Sequence, residues 1–113
     1  MKTSPLFSQP AAELSAGIQT QGFSGQQLMV TRLIFASGAV GASHSHPHEQ
    51  LTIVLRGSVE MTMGDERQVL NAGDAVSIPS NVVHGVVALE ETEMIDVFTP
   101  LRTDLIEKLH LPT

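Results

Sequence analysis

The sequence predicts an all-β fold, a sandwich or a barrel. From Leu28 onward, short apolar runs are broken repeatedly by Gly, Pro, Asn and Asp. The runs are rich in Val and Ile, whose branched side chains suit a pleated surface, and none carries an apolar stripe of helical spacing and length. The chain has 113 residues, 42% of them hydrophobic and 16% charged. That suffices for one compact domain and leaves too little for two separate cores.

Residues 1–27 read as an arm, because Pro5, Pro10, Gly17, Gly22 and Gly25 interrupt any long element. A short helical turn is expected within it, around Ala11 to Leu14. Strands are expected over Leu28 to Ala36, Leu51 to Leu55, Val59 to Met63, Gln68 to Leu70, Ala75 to Ile78, Val82 to Ala88 and Met94 to Phe98, so that residues 28–100 make the barrel. Glu90, Glu91 and Glu93 read as a hairpin turn facing water, and Pro100 stops the last strand. In the closing segment, 101–113, Thr103 can cap a short helix that reaches Leu109 and turns Leu105, Ile106 and Leu109 inward.

Side chains on a strand alternate between faces, so His44 and His46 point the same way. A strand that stayed regular past Pro47 would add Gln50, Thr52 and Val54 to that face and put Leu51, Ile53 and Leu55 on the other. Both faces would then be apolar, yet only one face of a small barrel looks inward. The Leu51, Ile53, Leu55 face therefore needs a second layer, either the N-terminal arm or a partner subunit, and a homodimer is expected.

Several function classes drop out on composition. Without Cys there is no disulfide framework and no thiolate, so a transition-metal site must use His, Asp, Glu, Asn or Gln. A net charge of −6 opposes binding to a nucleic-acid backbone. Nothing resembles a membrane span, and Pro5 breaks the N-terminus before an apolar signal core can form. The expectation is a soluble, cytoplasmic protein with no nucleic-acid or membrane partner.

Three of the five His fall between positions 44 and 48. His-x-His on a strand sets two imidazoles close enough to share one ion. The pair has a context: five residues separate Gly38 from His44, three separate His46 from Gln50, and six separate Gln50 from Gly57. Later, five residues separate Gly73 from Pro79, which is followed by Asn81, His84 and Ala88. This pattern resembles the cupin superfamily, whose first motif aligns with Gly38, His44, His46, Gln50 and Gly57 and whose second with Gly73, Pro79, Asn81, His84 and Ala88, the last standing where the family has Asn, away from the ligands. Three Gly and one Pro in register would arise by chance at about 10⁻⁵ from background composition. The resemblance implies a double-stranded β-helix, the cupin or jelly-roll barrel, and a divalent transition metal (Ni, Zn, Mn, Fe or Co) held by His44, His46, Gln50 and His84. Asn81 stands where the family often has Gly, in a turn that needs positive φ, which Asn tolerates. Gln50 replaces the usual Glu with a neutral oxygen, so a bound ion keeps more Lewis acidity for an anionic substrate. Glu49 could rotate in to replace Gln50, His48 reads as a pocket-rim or surface residue, and His110 as a solvated side chain.

A narrower resemblance rests on two segments, His44-Ser45-His46-Pro47-His48-Glu49-Gln50 and Asp96-Val97-Phe98-Thr99-Pro100-Leu101-Arg102. Both are similar to small cupins of pectin and alginate degradation, which open the ring of 4,5-unsaturated monouronates to a linear keto acid. In that family an Asp-x-Phe-x-x-x-Arg signature carries catalysis and substrate binding, which here implies Asp96, Phe98 and Arg102. The residues fit those roles. Asp96 and Phe98 share a strand face, Asp96 among apolar neighbours suits acid–base work, and Arg102 offers a planar fork to a carboxylate of a small anionic sugar acid. Two other classes fit the same ligands: a redox cupin, oxygenase or isomerase, acting on another small oxygenated acid, and a sugar-acid-binding cupin without turnover.

Overall fold

In the computed structural model, which describes residues 1–112, ten strands and one helix follow the order β1 (Ala12–Ser15), β2 (Ile18–Ser24), β3 (Met29–Phe35), β4 (Val40–His44), β5 (Glu49–Arg56), β6 (Ser58–Met63), β7 (Glu66–Asn71), β8 (Ala75–Ile78), β9 (His84–Ala88), β10 (Thr92–Thr99) and α1 (Thr103–Lys108). The last residue of the expected C-terminal segment, Thr113, lies outside the described residues. Strands form a six-stranded sheet, β1-β2-β3-β10-β5-β8, and a four-stranded sheet, β4-β9-β6-β7, with every pairing antiparallel. The all-β expectation holds. Among the described residues no helix is long and apolar enough to cross a membrane.

The core lies between the sheets. Strand β10 buries Thr92, Met94, Asp96 and Phe98 and turns Glu93, Ile95, Val97 and Thr99 away, a strict period of two. Strand β5 likewise buries Gln50, Thr52 and Val54. Val54 and Met94 join Phe35, Val59, Met61, Leu70 and Ile78 in the main apolar cluster. A second cluster, Met29, Phe98 and Ile106, seats α1 against the end of the six-stranded sheet.

Four local expectations need correction. Ala12–Ser15 is a strand, with no helical turn over Ala11 to Leu14, because its backbone pairs with β2. With β2 and β4 it escapes an apolar-run reading: Gln, Thr, Ser and Ala fill much of these strands, and sheet pairing holds them. The arm thus contributes two strands to the six-stranded sheet, while its first ten residues cross that sheet's outer side, where Phe7 stacks on Arg32 and Lys2 on Phe23. It does not reach Leu51 and Leu55, which stay 46% and 44% exposed. Helix α1 starts at Thr103 itself, with Arg102 in the cap position and no side-chain cap bond. Finally, Glu93 is not part of a free acidic turn. It lies in β10 and pairs with Arg32, while Glu91 and Glu90 reach Arg56 and Ser58.

Candidate metal centre and active site

The site forms where the chain crosses from one sheet to the other. Strand β4 ends at His44, β5 begins at Glu49, and His46 lies in the link between them, so no strand runs regularly through Pro47. Pro47 has no N–H for a ladder, and a break there lets the chain change sheets. His44 and His46 therefore converge through a turn rather than through strand parity. His44 sits directly opposite His84 on β9. The loop carrying His46 is anchored by Asn81, whose N–H donates to His46 O at 2.8 Å and whose φ of 67° meets the left-handed expectation for that turn.

Ligand-type nitrogens of His44, His46 and His84 all lie within 4.8 Å of one another. Each Nδ1 faces a backbone carbonyl: Ala42 O at 3.0 Å from His44, His48 O at 3.0 Å from His46, and Val82 O at 2.9 Å from His84. A carbonyl only accepts, so each Nδ1 carries the proton and each Nε2 keeps a lone pair. That is the tautomer a metal-binding imidazole needs, fixed by its neighbours. The Nε2 of His84 is buried with no hydrogen-bond partner among the described residues. The Nε2 of His46 faces Gln50 Oε1 at 3.0 Å. Two acceptors in contact repel unless a proton or a cation lies between them. Burial pushes His46 and His84 below the ordinary imidazole pKa, which works against the proton. The donor set therefore fits a divalent cation, which three imidazoles and one amide oxygen could hold.

The other predicted residues surround the same open cavity of roughly 380 Å³, within the usual range for small-molecule sites. Asp96, Phe98 and Arg102 line it together with His44, Gln50 and His84. Register explains the grouping: across β5, β10 and β3, Thr52, Asp96 and Thr31 form one row, and Gln50, Phe98 and Met29 the next. Asp96 accepts a hydrogen bond from Thr52 Oγ1 at 2.7 Å. Burial raises its carboxyl to about 6, against the opposing hydrogen bonds from Thr52 and Gln50 and the Arg102 charge. Arg102 lies over the Phe98 ring at 5.1 Å and forks onto Asp104, Nε to Oδ1 at 3.0 Å and Nη2 to Oδ2 at 2.8 Å. That hydrogen-bonded fork holds the Asp104 carboxyl down at about 2.

Glu49 lies on the opposite strand parity from Gln50 and is exposed. His48 is half-buried and ties the β4–β5 link to the segment before Arg102 through Nε2 to Leu101 O at 3.1 Å. His110 is exposed. Sequence reading did not single out Thr52 or Asp104 for the site. Thr52 was visible as an inward position of β5, but nothing in the sequence shows that it meets Asp96.

Known proteins resemble this chain in sequence and in fold. The cupin domain pattern matches residues 31–98. The pectin degradation protein KdgF of Dickeya dadantii (strain 3937) is 39% identical over 100 residues, 86% of this chain and 91% of that protein. The structure of KdgF from Halomonas sp. superposes with a TM-score of 0.83 at 34% identity, covering 88% of this chain and 93% of that one. An RmlC-like cupin from Shewanella frigidimarina NCIMB 400 gives a TM-score of 0.85 at 30% identity, covering 90% and 93%. A family pattern spanning more than half of the residues, with a relative this similar along most of its length, shows that the chain belongs to the cupin domain family.

Proposed function

We propose that this protein is a metal-dependent enzyme that opens the ring of 4,5-unsaturated monouronates, with His44, His46, Gln50 and His84 as metal ligands and Asp96, Phe98 and Arg102 acting on the substrate. The observation that carries the reading is the cavity in which a buried carboxyl raised to about 6 and a guanidinium stand beside His44 and His84, whose rings, like that of the neighbouring His46, turn Nδ1 to a backbone carbonyl and keep a lone pair on Nε2. Relatives named for pectin degradation support the substrate class.

The chemistry asks little of the chain beyond moving one proton. In such a sugar the ring oxygen is both the hemiacetal oxygen at C1 and the enol-ether oxygen at C5. Taking the proton of the C1 hydroxyl lets the bond from C1 to the ring oxygen break, leaving an aldehyde and an enolate. Returning that proton to C4 turns the enolate into the ketone, with no change in formula. Asp96 can do both, because an acid near 6 accepts and returns a proton readily around neutrality. Arg102 orients the uronate carboxylate, and Phe98 gives the sugar an apolar wall while bracing the guanidinium. A divalent cation, when bound, supplies Lewis acidity toward the substrate's oxygens.

The direct test mixes metal-loaded protein with an unsaturated monouronate and follows loss of the conjugated double bond by absorbance or NMR. A rate equal to the spontaneous one rules the substrate out. Asp96→Asn should keep the metal and lose activity, whereas His46→Ala should lose both; equal metal loss in the two would remove Asp96 from the catalytic role. We further propose a homodimer that covers the outer face of the six-stranded sheet, where Leu51, Val97, Val30 and Phe23 lie in one row and Ile53 and Ile95 in the next.

A further inference from the structure

An amide has two ends of similar size and opposite hydrogen-bond character, so what Gln50 offers a cation depends on which end faces the imidazoles. The choice is made on the far side of the residue. Thr52 Oγ1 donates to Asp96 Oδ1 at 2.7 Å, and Gln50 Nε2 donates to Thr52 Oγ1 at 2.9 Å. A hydroxyl has a single proton. Given to Asp96, it leaves Thr52 able only to accept from Gln50, so the amide turns its nitrogen toward Thr52 and its oxygen toward His46 Nε2. Thr52 has no exposed surface, and strand register fixes it opposite Asp96. Each member of this chain is buried, where an unpaired polar group is costly and the sense of each bond is therefore strongly held.

We propose that Thr52 is a positioning residue for the metal centre, setting the orientation of the Gln50 amide and through it the affinity for the ion. It touches neither ion nor substrate. The inference rests on the metal-centre reading above and reaches beyond it to a residue two positions along β5 from Gln50 and one strand away from Asp96. Removing the hydroxyl takes away the amide nitrogen's acceptor at 2.9 Å and leaves it the Asp96 carboxyl alone, which loosens the amide and sets N–H rather than oxygen toward the ion in part of the population. Partners of this kind change metal affinity by about 10–100-fold.

The test measures zinc(II) affinity by competition with a chromophoric chelator, on the full chain, for wild type, Thr52→Val and Thr52→Ser. Valine keeps the branched shape without the hydroxyl; serine keeps the hydroxyl without the methyl. We expect Thr52→Val to bind zinc about tenfold more weakly or worse and Thr52→Ser to stay within about threefold of wild type. With cobalt(II) in place of zinc, the visible spectrum of Thr52→Val should move toward that of Gln50→Ala, the change a lost oxygen ligand produces. Wild-type affinity in Thr52→Val, or a loss in Thr52→Ser as large as in Thr52→Val, overturns the proposal while leaving the metal centre standing. A wild-type protein that binds neither zinc nor cobalt overturns the metal centre and this proposal together.

Discussion

Asp96 holds its carboxyl in an environment far from water. Its carboxyl is buried on β10, in one cross-strand row with Thr52 and Thr31, and burial lifts it from 3.8 to about 6. Folding therefore favours its protonated form. The resulting contribution to stability is fully present below its ordinary value and is lost as pH rises through about 6. In metal-free protein, Asp96→Asn should gain on wild type across that window and level off above it, by about 3 kcal/mol for a shift of this size. Urea denaturation at a series of pH values reads the difference directly, and a difference flat in pH would contradict burial as the cause. Arg102 makes a different prediction. Its fork and its contact with Phe98 both depend on a planar guanidinium, so Arg102→Lys should raise KM by about tenfold or more while kcat falls much less. A large fall in kcat at constant KM would point to a role in the transition state instead.

Among the elements, the β5–β10 pair carries the most information. Its register brings Thr52 to Asp96 and Gln50 to Phe98, so half of the site is built by two strands far apart in sequence. The turn after β5 is set by Gly57, at φ +91°, where an added Cβ would meet Glu91 O, Thr92 Oγ1 at 2.5 Å and Thr92 Cα at 2.8 Å. Gly38, at φ +81°, has nothing within 4 Å of that position. Gly57→Ala combines backbone strain with a clash against main chain and should cost about 3 kcal/mol or more, whereas Gly38→Ala should cost only about 1 kcal/mol from its backbone conformation. Thermal or urea unfolding of the two variants makes the comparison. Both glycines belong to one sequence motif, yet only the structure separates the one that needs space from the one that needs conformation alone.

At the scale of the molecule, the six-stranded sheet leaves its outer face partly bare. The N-terminal residues cross it near Arg32 and Phe23, and Leu51 and Leu55 remain open beside Ile53, Ile95 and Val97. A partner subunit seated there would bury a continuous apolar surface. Leu51→Glu places a charge at its centre and should convert the proposed dimer to a monomer in sedimentation velocity, leaving zinc affinity unchanged because the side chain points away from the cavity. A dimer that survives this change is held by another surface.

The sequence by itself determined the fold and most of the residues of the candidate metal site. Short Val- and Ile-rich runs between turn residues specify strands, and the spacing of Gly38, His44, His46, Gly57, Gly73, Pro79 and His84 is a local record that survives in one dimension. The period of two in β10 put Asp96 and Phe98 on one inward face. Tertiary structure alone decided the rest. It made β1 a strand through pairing with β2, ended β4 before Pro47 so that the segment with His46 crosses between sheets, and left Leu51 and Leu55 uncovered by the arm. It also joined Thr52 to Asp96 and Arg102 to Asp104. Pattern and propensity are properties of neighbours along the chain, whereas the sense of a buried hydrogen bond is set by what stands on the next strand.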